Sequence, residues 1–320
     1  YAAYGVQESG SDWRTWKILE IATGKLLDDK IEWIKFGGVD WSADSQGVFY
    51  SRYDAPEAGQ EFQSLNTNQK VFYHRIGTSQ DQDVLVHEDA EHPDWGFSPT
   101  VTEDGNYLVL TIWVGTDDRY RVHYARLDGE LTRRPEMTEL IDNFEHEFTF
   151  LGNEGTVFYF KSDVGAPNKC ILAIDLKRPA REHWKVIVPE ADEAMESAGM
   201  VGDFIVVDYL KDANSQVHLF SLDGTFQRDV ELPGIGTASG FGGKRNHDST
   251  FYSFSSFQRP PTVFHYDLAS GESRVFKQAK VDFNPHDYVV KQVFYTSKDG
   301  TRVPMFIAHK ADLNLNGATP

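Results

Sequence analysis

This sequence predicts an all-β chain of repeated four-stranded antiparallel sheets, a β-propeller, and three observations carry the prediction. Turn-plus-strand units recur at steps of about 50 residues, close to the period of propeller blades: Gly47-Val-Phe-Tyr50, Gly105-Asn-Tyr-Leu108, Gly155-Thr-Val-Phe158 and Gly202-Asp-Phe-Ile205 each follow a polar turn, and Ser249-Thr-Phe-Tyr252 repeats the shape without the glycine. A second series marks the third strand of each unit, at Trp16–Ile21, Val71–Ile76, Arg121–Leu127, Cys170–Leu176, Val217–Leu222 and Thr262–Leu268. Long helical periodicity is nearly absent, while 26 glycines, 13 prolines and 13% aromatic residues suit many short strands joined by turns.

The clearest unit runs from Ser98 to Leu127. Its Asp104-Gly105 pair between apolar runs is a strong hairpin signal, because glycine accepts the positive φ of a tight turn. Tyr107-Leu-Val-Leu-Thr-Ile-Trp113 is apolar on both alternating faces, so this strand is expected to be covered on both sides, and Leu110→Asp to unfold its sheet. Upstream, Tyr1–Val6 reads as the end of a second strand, so the sequence is expected to begin inside a blade. The next unit is placed from Ile31 to Phe36 onward, with a long polar loop over residues 54–68. A fourth unit is placed at Phe144–Pro189, a fifth at Ser197–Pro233 and a sixth from Gly236, with room for no more than a helical turn at residues 190–197. Beyond Asp282 the repeat stops, and Tyr288–Tyr295, a turn at Ser297–Gly300 and Val303–His309 form a hairpin outside it. The expected inventory is one nearly complete blade, five complete ones and that hairpin.

Charge and cysteine usage narrow the function classes. With 31 Lys plus Arg against 49 Asp plus Glu, the formal charge of −18 repels a phosphate backbone, so nucleic acid is not an expected partner. Cys170 is the only cysteine and sits inside an apolar strand pattern, which predicts a small buried hydrophobe. No apolar run approaches the roughly 18 residues that span a bilayer; the expectation is a soluble protein of cytoplasm or periplasm.

Catalytic and metal signatures fail on spacing. No Gly-x-Ser-x-Gly elbow occurs, and Ser239 is assigned to a loop. Gly240-Phe-Gly-Gly-Lys244 lacks the partner glycine of a phosphate loop and has no helix after it. His87-Glu88 and His92 miss the zinc-protease spacing by one residue, and Pro93 favours a loop. Glu145-His146-Glu147 reads as a solvated charged strand. Ser42-Ala-Asp44-Ser-Gln-Gly47 approaches a sialidase turn with its glycine one place late. No catalytic residue, metal ligand or cofactor is assigned.

Six segments in order carry a resemblance: Gly10-Ser-Asp-Trp13, Trp33-Ile-Lys-Phe36, Asn68-Gln-Lys-Val-Phe-Tyr-His-Arg-Ile-Gly-Thr78, Ile141-Asp-Asn-Phe144, Asn153-Glu-Gly-Thr-Val-Phe158 and Ser297-Lys-Asp-Gly-Thr-Arg-Val-Pro-Met-Phe306. Together they resemble the prolyl oligopeptidase family end to end. The resemblance implies a seven-bladed propeller over an α/β-hydrolase domain that cleaves short peptides after proline with a Ser-His-Asp triad. It implies residues 1–282 as an incomplete propeller that gates substrate access and 283–320 as the start of the hydrolase domain. The triad would then lie outside this sequence, and the polypeptide alone would be inactive and poorly behaved in solution. By motif matching, Phe36 falls where the family places an aromatic wall of the substrate pocket, and Gly96, Trp113 and Thr116 at other pocket-facing positions. At these places the sequence departs from the mammalian pattern. The implied partners are short proline-containing peptides and the hydrolase domain of the same chain, with no membrane and a monomeric parent. Competing readings are a non-catalytic protein-binding propeller, and the propeller of an oligopeptidase B or dipeptidyl-peptidase relative.

Overall fold

The computed structural model describes residues 1–317 apart from Ser9, Ala58, Phe62, Ser64, Glu130 and Leu315. Ala318–Pro320, the end of the expected hydrolase piece, lie outside the described residues, as do Ala58, Phe62 and Ser64 of the expected long loop.

The turn between the first two strands of a unit is built by its own side chains. In the third sheet Thr102 Oγ1 donates to Asp104 Oδ1 (2.7 Å) and accepts from the Tyr107 N–H (2.9 Å), while the Asn106 N–H donates to Asp104 Oδ1 (3.1 Å). Ser42, Asp44, Gln46 and Gly47 repeat these bonds in the second sheet. The one position in this turn that needs a left-handed backbone is Gly105 (φ +71°) in one copy and Ser45 (φ +57°) in the other. Gly47 of the second-sheet turn is required for another reason: a Cβ there would stand 2.4 Å from the His74 carbonyl oxygen and 2.5 Å from the Tyr73 ring.

The strands form one three-stranded and five four-stranded antiparallel sheets plus a hairpin. The first holds β1 (Ala2–Gln7), β2 (Arg14–Glu20) and β3 (Lys25–Ile34). The second holds β4 (Val39–Trp41), β5 (Gly47–Arg52), β6 (Lys70–Arg75) and β7 (Val84–Glu88). The third holds β8 (Trp95–Val101), β9 (Tyr107–Val114), β10 (Arg121–Arg126) and β11 (Thr138–Ile141). The fourth holds β12 (Phe148–Glu154), β13 (Val157–Ser162), β14 (Cys170–Asp175) and β15 (Lys185–Val188). The fifth holds β16 (Ala194–Val201), β17 (Phe204–Lys211), β18 (Asn214–Ser221) and β19 (Phe226–Asp229). The sixth holds β20 (Thr237–Gly240), β21 (Ser249–Ser255), β22 (Thr262–Asp267) and β23 (Ser273–Gln278). β24 (Tyr288–Thr296) and β25 (Arg302–Lys310) pair as the hairpin the sequence predicts.

The chain divides into two compact units, residues 1–162 with 173–184 and residues 163–172 with 185–320. In the first, strands bury both faces between neighbouring sheets. Along β5, Val48 and Tyr50 pack with Ile31 and Ile34 of β3, whereas Phe49 joins Leu108, Leu110 and Ile112 of β9. On the opposite face of β9, Tyr107 meets Phe158 of β13 edge-on at 5.3 Å. Each large side chain so buried contributes about 1.5–3 kcal/mol. The first two sheets also share a polar network. The fully buried His74 ring bonds Asp83 Oδ1 through Nδ1 (2.7 Å) and Asp29 Oδ1 through Nε2 (3.0 Å). Asp83 Oδ2 also accepts from the Tyr50 hydroxyl (2.6 Å), and Asp29 from the Gly77 N–H (2.6 Å). Both nitrogens face carboxylates, an arrangement that favours the protonated ring: burial alone lowers its pKa, but the bonds and charges of Asp83 and Asp29 raise it overall.

In the second unit the fifth and sixth sheets meet mainly through hydrocarbon and rings, with Arg228 of β19 donating to the Tyr266 hydroxyl and to the Leu268 and Ala269 carbonyls. Val201, Val206, Val217 and Leu219 face Tyr252, Phe254, Phe264 and Tyr266. Cys170 is buried, and burial pushes its thiol up to about 11, so it serves as a small hydrophobe.

Four expectations need correction. Ile31–Ile34 completes β3, because Trp16 pairs with Ile31 and Arg14 with Ile34 across bulges; the second sheet starts at Val39. Ala194–Ser197 opens β16 instead of a helical turn, since pairing with β17 and burial of Met195 override the helix preference of Ala, Met and Glu. Ser239 lies in β20 opposite Ser253, not in a loop. Glu145–Glu147 forms a bend before β12, and Glu147 is buried with Lys161 Nζ at 3.0 Å.

Candidate functional site

Phe36 is exposed, Gly96 is buried, and Trp113 and Thr116 line a concavity that does not include Phe36. β3 ends in two left-handed aromatic residues, Trp33 (φ +64°) and Phe36 (φ +55°), a conformation that costs a bulky side chain about 1–3 kcal/mol. It is held by its surroundings. Trp33 meets Trp13 edge-on at 5.5 Å, its carbonyl accepts from the Tyr53 N–H (3.0 Å), and Lys35 Nζ sits 3.9 Å above the Trp13 ring while donating to Asn66 Oδ1 (2.9 Å). Burial lowers the Lys35 pKa against the pull of Asp12. Trp13 Nε1 in turn donates to the Glu61 carbonyl (2.7 Å), and Arg14 Nη1 to the Gly37 carbonyl (3.3 Å). These contacts hold the neighbours of Phe36, while Phe36 itself is 56% exposed.

Gly96, Trp113 and Thr116 come together. Gly96 of β8 pairs with Trp113 of β9, and a Cβ at position 96 would stand 2.1 Å from the Trp113 ring. Glycine there is a steric requirement for the position of the indole. Trp113 and Thr116 line a concavity of about 460 Å3 with Ser98, Thr100 and Thr111 from the same two strands, Tyr120 beyond β9, and Thr149 and Phe150 of β12. Ser98 lies directly opposite Thr111 in the register, which puts their hydroxyls on one face. Thr149 Oγ1 donates to Glu147 Oε1 (2.8 Å), tying this wall to the buried Glu147–Lys161 pair. The acid at the rim, Asp117, is held down at about 2 by side-chain and backbone hydrogen bonds from Arg119. Phe36 is not among the lining residues.

The lining offers ring faces, hydroxyls and one ion-paired carboxylate, groups that hold and orient a ligand. His87 and His92 do not converge: the first packs against Phe97 and His123, the second stacks on Trp95 at 3.8 Å. Among the described residues no three His, Cys, Asp or Glu side chains cluster as metal ligands. Sequence reasoning missed Ser98, Thr100, Thr111 and Thr149, whose only signal was the alternation of small polar residues along strands otherwise apolar, and it missed the Trp13–Lys35 frame behind Phe36.

Repeated four-stranded antiparallel sheets packed face to face, one of them carrying a ring-and-hydroxyl concavity along its terminal strand, define a β-propeller domain. Residues 1–279 match the family model of the prolyl oligopeptidase N-terminal beta-propeller domain, and the chain belongs to that family. It is 36% identical over 318 residues to a prolyl endopeptidase of Elizabethkingia meningoseptica, covering 99% of this chain and 44% of that protein. With a prolyl oligopeptidase of Omphalotus olearius it shares 33% over 341 residues, covering 100% and 45%. Among solved structures, a prolyl endopeptidase studied for inter-domain dynamics superposes with a TM-score of 0.85 at 39% identity (97% of this chain, 44% of that one). Prolyl oligopeptidase B from Galerina marginata superposes at 0.86 with 27% identity (98% and 45%). The chain thus spans less than half the length of these relatives.

Proposed function

We infer that this chain is the propeller portion of a serine endopeptidase that hydrolyses short peptides on the carboxyl side of proline, and that it filters access and forms part of the substrate pocket. The concavity in which Gly96 lets Trp113 stand against a wall of hydroxyls is the observation that carries the reading, because it is a preformed site with binding groups and no nucleophile–base pair of its own. Family membership and the length of the relatives support the division into a propeller, residues 1–282, and the first piece of an α/β-hydrolase domain, residues 283–320, that holds the hairpin β24–β25. The Ser-His-Asp chemistry belongs to the remainder of that second domain. The strained and exposed Phe36 supplies a second aromatic contact. Short proline-containing peptides are the substrates and the hydrolase domain is the partner. No helix among the described residues is long and apolar enough to cross a membrane.

The test has two arms. The purified chain should leave a prolyl reporter peptide intact, and turnover by it would refute the assignment. In the polypeptide that includes the hydrolase domain, Trp113→Ala and Phe36→Ala should each raise KM about tenfold with kcat within about threefold, the signature of lost uniform binding; unchanged KM in both removes these residues from the site.

A further inference from the structure

β8 is the terminal strand of its sheet, so one edge of it has no strand partner among the described residues. Such an edge ordinarily invites an extended peptide to add as a further strand. Here the outward N–H groups and the Phe97 carbonyl are already taken. The Phe97 N–H donates to Gln69 Oε1 (2.6 Å), the Phe97 carbonyl accepts from Ser51 Oγ (2.6 Å), and the Val101 N–H donates to Asp40 Oδ2 (2.6 Å). By the two-residue period of a strand, Trp95 and Pro99 share this side. The Trp95 N–H donates to the His92 carbonyl (3.1 Å), and proline has no N–H. Every outward donor of β8 is therefore satisfied or absent. Ser51 and Gln69 are 2% and 1% exposed, and Gln69 Nε2 has no hydrogen-bond partner among the described residues, so the polar side chain of Gln69 is favoured there only through its bond to Phe97. Phe97 adjoins Gly96, the residue that sets Trp113.

We propose that Gln69, Ser51 and Asp40 are positioning residues that close this edge to strand addition, so that a peptide in the concavity is held by Trp113, Tyr120, Phe150 and the surrounding hydroxyls without backbone pairing to β8. This rests on the reading of the concavity as a peptide site, and it suits the substrate class. A strand-adding groove rejects proline at alternate positions, because each needs an N–H. Ring faces accept the pyrrolidine, and hydroxyls rotate to meet whichever carbonyls the peptide offers.

Two measurements on the chain test this. By amide hydrogen exchange, Phe97 and Val101 should be protected like the interior of β9, and Gln69→Met should speed Phe97 more than about tenfold and move the Trp113 indole N–H resonance while leaving Val101 unchanged. The core variant Ile31→Val should change neither. In the second, a blocked pentapeptide of alanine, glycine and proline is titrated, along with versions carrying one backbone N-methyl group at each non-proline position. Losses below about threefold at every position are expected; strand pairing would show losses above about tenfold at alternate positions. An unprotected Phe97 amide in the wild type, no effect of Gln69→Met, or the alternating pattern overturns the proposal. Failure of every peptide to bind with both amides protected overturns the peptide half and the reading of the concavity, while the closed edge stands.

Discussion

The seam between the first and second sheets and the seam between the fifth and sixth solve the same packing problem with different chemistry. The latter is built mainly from aliphatic and aromatic groups, with Phe254 and Tyr266 almost wholly buried against valines and leucines, and is bridged by Arg228, which donates to the Tyr266 hydroxyl and to the Leu268 and Ala269 carbonyls. The former combines hydrocarbon with the His74 ring held between Asp29 and Asp83. Hydrocarbon burial is non-directional and indifferent to pH, whereas the His74 network fixes one relative position of β3 and β6 and depends on a proton. Both seams combine burial with directional bonds, and the His74 network adds a dependence on a proton.

Phe254→Ala should break the apolar seam at a cost of about 3–5 kcal/mol in urea unfolding, equal at pH 6 and pH 8. A strongly pH-dependent loss would erase the contrast. Asp83→Ala should cost about 3 kcal/mol, because it leaves the buried His74 short of a carboxylate and the Tyr50 hydroxyl without its acceptor; a loss below 1 kcal/mol would show the network to be dispensable.

A smaller effect separates the buried His74 from the half-buried His87. The raised His74 pKa means the folded state binds its proton more tightly than the unfolded state. Its contribution is whole below the ordinary value near 6.5 and is lost as pH climbs through the elevated one. His87 has the opposite sign: burial, then the nearby His123, pushes it down to about 4, so the unfolded chain binds more protons and stability rises with pH between about 4 and 6.5. His74→Gln should abolish the alkaline decline in urea midpoint, and His87→Asn should shrink the acid one, the remainder belonging to His123, whose pKa burial also lowers. Either slope left at full size would assign it to other groups. Least affected should be Val275→Ala, on a β23 residue 54% exposed, which is expected to stay within about 0.5 kcal/mol by the same assay.

Legibility in the sequence followed the range of the interaction. The repeat was readable because each turn is local: Thr102, Asp104 and Gly105 fold against one another, and the two-sided apolar pattern of β9 announced neighbours on both faces. Ile31–Ile34 was misplaced because its strand is fixed by bulged pairing with β2, which no local pattern reveals. Residues 194–197 misled because helix formers were overruled by strand partners. At the site, the steric dependence of Trp113 on Gly96 became visible only with the register in hand. Gln69 and Ser51 gave no signal at all, since their partner Phe97 is 28 and 46 residues away.

The contact of Gly96 with the Trp113 indole imposes an order on how this surface can change. Position 96 cannot accept even a methyl group until the indole at position 113 has been trimmed or reoriented, whereas shrinking the indole first opens both. Mutational routes to a narrower or differently shaped recess through position 96 must therefore pass through loss or reorientation of the tryptophan.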